Sequence, residues 1–274
     1  MAKITKAVLP AAGLGTRIMP LTLHQPKAMI GIVDRPIIHY VIKEVLATGI
    51  KHLIIVTSPE QKEFQKYIKY LASDPEWRGL GVKFDFAVQK KPFGNGDAIL
   101  SAKPFLDQNP FLVCFSDDLL VARKPPLLTL VQLFEKTRAP IVALEPVPKN
   151  QVSQYGVVKA EKSIISKDLY QLIDVVEKPA LEEAPSNLTI IGRYILTKDI
   201  LDEIKKLYPH QRKEIGLAEA LKNYARSGGR LFGWHFRGER FDGGSKIGIL
   251  KAQTYFGLRH KELGPEFRKY IQGL

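Results

Sequence analysis

The stretch AVLPAAGLGTRIMP, residues 7–20, joins an apolar run to a loop that carries Gly13 and Gly15, a Thr16–Arg17 pair and Pro20. Its first part reads as a buried strand. The glycines that follow mark a loop whose backbone N–H groups can approach a ligand with no side chain in the way. A dinucleotide fingerprint is the first candidate, and it fails. Gly13 and Gly15 supply two glycines of G-x-G-x-x-G, but Ile18 stands at the third and Pro20 follows where a helix should run. No G-x-x-x-x-G-K-[ST] occurs, so the loop is not a Walker phosphate cradle either. What remains is Gly-x-Gly-Thr-Arg, with Pro26-Lys27 downstream. Two cations brought to one loop suit a triphosphate, and arginine offers it a planar fork. A tight strand-to-helix turn with a surface arginine is the alternative for such a loop taken by itself.

Further apolar runs at 52–57, 82–88, 111–115 and 140–145 join that at 6–11 as candidate buried strands. Helix-periodic stretches lie between them. PIIHYVIKEVLATG (36–49) enters on Pro36 and stops at Gly49, with Ile37, Tyr40, Val41, Glu44 and Val45 on one face; 59–71 and 97–106 repeat the alternation. Strand, helix, strand, helix predicts a parallel sheet covered on both faces, with ligands beyond the strand ends. After about residue 146 the pieces YGVVKAE, LYQLIDVVEKP and NLTIIGRYIL predict an antiparallel or mixed extension. Helices are expected again at 198–207 and over GLAEALKNYARSG, a strand at 230–236, and a closing amphipathic helix over 246–263.

The 274 residues, 45% hydrophobic and 25% charged, suit a soluble globular chain. The longest apolar stretches, such as HLIIV at 52–56, fall short of the ~20 residues of a membrane span. The N-terminus reads as a first strand rather than a signal peptide, and a cytoplasmic location is expected. The single cysteine, Cys114, leaves no intrachain disulfide and no cysteine zinc cluster; within FLVCFSDD it reads as a buried strand thiol. The net charge of +13 is spread along the chain and mixed with acids, which favours a solvated surface over a nucleic-acid face.

The opening LPAAGLGTRIMPLT, then PKAM, VDRPIIHYVI, QKKPFGNGDAI (89–99), FSDDLL (115–120), YGVV (155–158), VVEKP (175–179), APSNLTIIGRYIL (184–196) and RFDGGSKIG (240–248), resemble in order and approximate spacing the sugar-1-phosphate nucleotidylyltransferases. Within them they resemble the bacterial UDP-glucose pyrophosphorylases, over nearly the whole chain. The resemblance implies a Rossmann-like three-layer α/β/α nucleotidyltransferase fold with a mixed, mostly parallel central sheet and a small sugar-binding extension. It further implies a single domain, with residues 1–146 as the nucleotide-binding half and 147–274 as the sugar-binding half with the C-terminal helices.

The implied reaction is UTP plus glucose-1-phosphate giving UDP-glucose and pyrophosphate, by in-line attack of the sugar phosphate on the α-phosphorus. A phosphate monoester with a second pKa of about 6 is already largely dianionic at neutral pH, so no general base is demanded. Of the six histidines only His39, within VDRPIIHYVI, falls in a matched segment, and none is assigned a role in the chemistry. The difficulty is to bring two polyanions together, which calls for positioning and charge stabilisation. By resemblance, Arg17 and Lys27 serve the triphosphate and Lys178 the sugar phosphate. Ala11, Ala12, Gly13, Gly15 and Thr16 bind the nucleotide, the backbone from Ala11 to Gly15 at close range, and Gln89 with Gly94 reads the pyrimidine. Gly156, Glu177 and Gly192 contact the sugar, and Asp117 with Asp242 holds Mg²⁺. Asp118 faces the other way along an extended chain and is expected in a helix N-cap or turn.

The chain departs from these relatives at Ala28, usually Glu; at Asp97, commonly His; and at Gly216, usually Gln. A homo-oligomer is expected, with no nucleic-acid or membrane partner. The same scaffold using dTTP, a glucose-1-phosphate thymidylyltransferase, is the nearest rival. A non-catalytic regulatory paralogue would have lost a phosphate or metal residue, and a nucleic-acid-binding protein would cluster its basic residues among stacking aromatics.

Overall fold

The computed structural model describes residues 3–208 and 214–274. The first half comprises β1 (Lys6–Pro10), a small ribbon of β2 (Gly31–Ile32) and β3 (Arg35–Pro36), α1 (Ile37–Leu46), β4 (His52–Thr57), α2 (Lys62–Leu71), β5 (Lys83–Val88), α3 (Asn95–Ser101), β6 (Phe111–Cys114), β7 (Asp118–Val121), α4 (Pro126–Thr137) and β8 (Ile141–Pro146). The second comprises β9 (Gly156–Lys162), β10 (Leu169–Glu177), β11 (Leu188–Leu196), α5 (Lys198–Lys206), α6 (Leu217–Arg226), β12 (Phe232–His235), β13 (Glu239–Asp242), α7 (Lys246–Arg259) and α8 (Gly264–Gln272).

Nine strands form one sheet in the order β5-β4-β1-β6-β11-β8-β12-β10-β9. β5, β4, β1 and β6 pair in parallel, β11 runs against both β6 and β8, β12 is parallel to β8, and β10 runs against β12 and β9. Only β10 and β11 are therefore reversed: the sheet is mixed, as expected, with most of its strands pointing one way, its first four strands paired in parallel and its other half largely antiparallel. The extension after residue 146 is not a separate layer: β11 inserts between β6 and β8, so the two halves share one sheet.

The central strands are nearly all apolar because both faces are covered. Ala7 and Leu9 of β1, with Leu53 and Ile55 of β4, face a core built with α1, α2, α4 and α7. Val8, Ile54 and Val56 face the opposite core, built with α3, α5 and α6. This period-2 division between two helical layers is the α/β/α sandwich. Cys114 is fully buried in β6, and burial pushes its thiol up to about 12.

Three regions differ from the sequence reading. α4 was not singled out, although PLLTLVQLFEKT enters on Pro125–Pro126 and buries Leu127, Leu130 and Phe134. The FSDDLL segment does not end in a helix cap: Asp118 opens β7, which pairs antiparallel with β13. The closing helix ends at Arg259, where His260 Nδ1 accepts the backbone N–H groups of Glu262 and Leu263 and α8 then starts at Gly264. α7 is also not simply amphipathic, since it buries Ile249 and Ala252 while Ile247 and Leu250 remain exposed.

Candidate active site

The chain leaves β1 for β4 and β5 on one side and returns to β6 on the other, so the strand order reverses between β1 and β6. In an open α/β sheet that is where a crevice opens beyond the carboxyl ends. The hydroxyl of Ser116 donates to the Pro10 carbonyl at 2.8 Å and ties the two strand ends together. Both the glycine loop and Asp117 emerge at this place.

After Pro10 the loop does not enter a long helix. Thr16–Ile18 form a single 3₁₀ turn, and Ile18, where the fingerprint would have its third glycine, is a fully buried core residue. Gly15 adopts a left-handed conformation (φ +63°), and a Cβ there would stand 2.8 Å from the Thr22 methyl. Thr22 in turn donates to the Gly15 carbonyl. The loop is thus folded against residues 22–27, which carries Lys27 under Gly13 and into a hydrogen-bonded ion pair with the Asp117 carboxylate.

A cavity of about 290 Å³ lies over this loop, bounded by Ala12, Gly13, Gly15, Thr16, Lys27, Gln89 and Gly94. Ala11 stands behind it: its N–H bonds the Val56 carbonyl and its carbonyl accepts from Gln61, so it braces the loop rather than lining the space. A second cavity of about 210 Å³ is bounded by Arg17, Gly156, Glu177, Gly192 and Asp242. The two adjoin, sharing Asn95, Phe115 and Asp117 as walls. Among the described residues no histidine or cysteine lines either space.

Lys178 lines neither cavity. It follows β10 with a left-handed backbone (φ 46°), donates its N–H to the Tyr155 carbonyl, and lies on the rim with its ammonium 3.8 Å from Glu177. Such a conformation in a residue with a Cβ persists only where its surroundings impose it. Gly192 lines the second cavity, but its N–H is already spent on Asp118 Oδ2 at 2.8 Å, and a Cβ would meet that oxygen at 2.5 Å. The glycine there makes room for Asp118. Gly216 precedes α6, and a Cβ on it would face open space.

At Gly244 the space that a Cβ would take is bounded by Arg17 Nη2 at 2.8 Å, Asp242 Oδ1 at 2.9 Å and Asp117 Oδ2 at 3.3 Å. Two carboxylate oxygens thus converge on a cradle kept open by a glycine, a donor set suited to a hard divalent cation that takes one or two carboxylates and retains water. Burial opposes ionisation of Asp117, but the Lys27 ammonium in contact with it, and Arg17 beyond, hold its carboxyl below the usual carboxylate range. Asp242 goes the other way, raised by burial and by the charges of Asp118 and Asp117. Glu177 is also raised, chiefly by burial.

Residues 6–255 match the Nucleotidyl transferase family. Over 99% of its length the chain is 34% identical to a UTP–glucose-1-phosphate uridylyltransferase of Streptococcus pyogenes serotype M3, covering 94% of that protein. A solved UDP-glucose pyrophosphorylase complexed with UDP-glucose superposes with a TM-score of 0.86 at 34% identity, over 94% of this chain and 100% of that one. A UTP-bound enzyme of the same kind from Acinetobacter baumannii gives 0.85 at 32%, over 99% and 100%.

The chain belongs to the nucleotidyl transferase family.

Behind the site this nucleotidyl transferase carries a buried ion network that motif reading did not assemble. Arg193 is 1% exposed and donates to Glu44, to the Phe115 and Gly192 carbonyls, and to the Asp118 carbonyl at 2.6 Å. Arg240 donates to Glu145 and Asp118 Oδ1 and lies over the Tyr155 ring. Asp118 is thus neither helix cap nor cavity ligand: its two oxygens are used by Arg240 and the Gly192 N–H. The network clamps the turn from Phe115 to Asp118, and so fixes where Asp117 points. One signal was present in the sequence, for Glu44 falls on the apolar face of α1, where a carboxylate needs a buried cation.

Proposed function

We propose that the chain is a UTP–glucose-1-phosphate uridylyltransferase, in which the cavity over the glycine loop takes UTP and the adjoining one takes glucose-1-phosphate. The observation that carries this reading is the shared wall at Asp117: two spaces, one suited to a nucleotide triphosphate and one to a sugar phosphate, open on the same carboxylate. In the reaction an oxygen of the sugar phosphate forms a bond to the α-phosphorus. The bond from that phosphorus to the oxygen bridging toward the β-phosphate breaks, and its electron pair leaves on pyrophosphate.

The glycine loop, from Ala12 to Thr16, admits the phosphates to close range, with Ala11 bracing it from behind. Arg17 contacts the β- and γ-phosphates. Lys27, released from Asp117 by the incoming anion, contacts the α-phosphate. Gln89 and Gly94 contact the uracil. Glu177 accepts hydrogen bonds from sugar hydroxyls, Gly156 leaves room for the ring, and Lys178 swings from the rim onto the sugar phosphate; the sugar contact expected of Gly192 gives way to its role of seating Asp118 at the cavity wall. A divalent ion held by Asp117 and Asp242, Mg²⁺ in this proposal, supplies the positive charge that offsets repulsion between the reacting phosphates. No side-chain base is required, since the attacking phosphate is already largely dianionic at neutral pH. The reading carries with it a cytoplasmic site of action and a homo-oligomeric state, for which the exposed Ile247 and Leu250 of α7 offer an apolar patch.

The test is pyrophosphate release from a panel of four nucleoside triphosphates, with dTTP as a fifth, against several sugar phosphates. Release that is fastest with UTP and glucose-1-phosphate supports the proposal. Faster release with dTTP replaces it by the thymidylyltransferase reading, and release with no pair removes it.

A further inference from the structure

Gln89 is a buried polar residue, 6% exposed, in the wall of the cavity over the glycine loop. Its side-chain nitrogen donates to the Gly94 carbonyl at 2.9 Å and to Asp97 Oδ2 at 2.8 Å. A primary amide has two N–H hydrogens, and these two bonds use both. Both partners can only accept, so the amide can sit in one orientation alone, with its NH₂ turned to Gly94 and Asp97. No described group donates to the carbonyl oxygen Oε1, which is what remains to meet a ligand.

We infer that Asp97 is a positioning residue for base selection: by fixing the Gln89 amide it leaves the nucleotide an acceptor only, and so selects bases that present an N–H at that point. The inference rests on the reading of Gln89 as the base contact. Uracil offers its N3–H there. Cytosine has an unprotonated N3 at the same place, which would set lone pair against lone pair. Were the amide free to turn over, its NH₂ would donate to cytosine N3 and the distinction would vanish. Thymine shares the uracil edge, so this device separates UTP from CTP and is blind to dTTP. The bond to Asp97 is charge-assisted, about twice as strong as a neutral one, and it outweighs Gly94 in setting the orientation. A carboxylate in the first turn of α3 also steadies the helix dipole. That role would alter the melting temperature and leave base selection where it was.

Equilibrium binding of UTP and of CTP to the full chain, without sugar phosphate, reads the inference apart from turnover. Wild-type protein should favour UTP by roughly 100-fold or more. In Asp97→Asn, whose amide can donate to a reversed Gln89, the ratio should shrink at least tenfold, mainly through tighter CTP binding; Asp97→Ser, which lacks the charge, serves if the first variant fails to fold. Gln89→Ala should abolish the preference. A ratio within twofold of wild type in both Asp97 variants, while Gln89→Ala loses it, overturns the inference and leaves the uridylyltransferase reading standing. Wild-type protein that binds CTP as well as UTP overturns the inference also. Failure of any nucleotide to bind removes that reading, and the inference falls with it.

Discussion

Asp117 is a wall of both cavities, and the Lys27 ammonium donates to its carboxylate. Asp117→Asn keeps the shape and removes the charge, so pyrophosphate release should fall by roughly 10²–10³, the range for losing one transition-state contact of this kind. Steady-state assays at saturating substrates, with circular dichroism to confirm the fold, check this. Behind it, Arg193 and Glu44 form a pair buried from water. Removing one partner leaves a bare charge, and Glu44→Ala should lower the unfolding free energy by about 3–5 kcal/mol. Urea denaturation of Glu44→Ala, Arg193→Met and the double variant measures it, and the double variant should lose less than the sum. The acids at the chemistry were legible in the sequence because strand ends and glycine runs mark them. The network was not, because Glu44 and Arg193 lie 149 positions apart and only the packing of α1 against β11 brings them together.

At the scale of elements, the loop before α3 connects the two cavities. Gly94 has φ +104°, and a Cβ there would lie 2.7 Å from the Ile215 carbonyl; the Gly96 N–H bonds that same carbonyl, and Asn95 Oδ1 accepts the Leu217 N–H at the start of α6. The wall of the cavity over the glycine loop is therefore stitched to the segment leading to α6, whose residues Leu217, Ala218 and Leu221 line the adjoining cavity. Gly94→Ala should cost about 1–3 kcal/mol in backbone strain and raise KM for both substrates rather than for UTP alone. Initial-rate kinetics with each substrate varied in turn separate the two effects. Periodicity had suggested a helix over 97–106, whereas α3 spans 95–101 and a 3₁₀ turn follows. Pro104 cuts it short, and the hydrogen bonds from residues 215–217 set its start. The first is a local signal in the sequence, while the second depends on contacts more than a hundred residues away.

For the molecule as a whole, alternating strand and helix patterns made the layered sheet and its parallel half readable, because each of those signals is local. The insertion of β11 between β6 and β8 was not readable, since strand order is decided by pairings distant in sequence. Charge acts at this scale too. His39 is stacked on Trp77, and burial lowers its pKa, as it does for His235. Asp174, bonded by Arg226, and Asp107, bonded by the Asn109 N–H, are likewise held below 3.8. For all four the unfolded chain binds protons at higher pH than the native one, so stability present at neutral pH is lost on acidification. The loss should begin near pH 6.5 with the histidines and steepen below about pH 4 with the carboxylates. Melting temperature against pH tests this, and His39→Gln should weaken the first step.

Two substrates bound side by side at Asp117 should react directly, with no covalent intermediate on the protein. This is tested by using UTP made chiral with sulfur at the α-phosphorus and determining the configuration of the nucleotide sugar formed with glucose-1-phosphate. A single in-line displacement between adjoining cavities predicts inversion at that phosphorus; retention would mean two displacements through a side-chain nucleophile and would contradict the account.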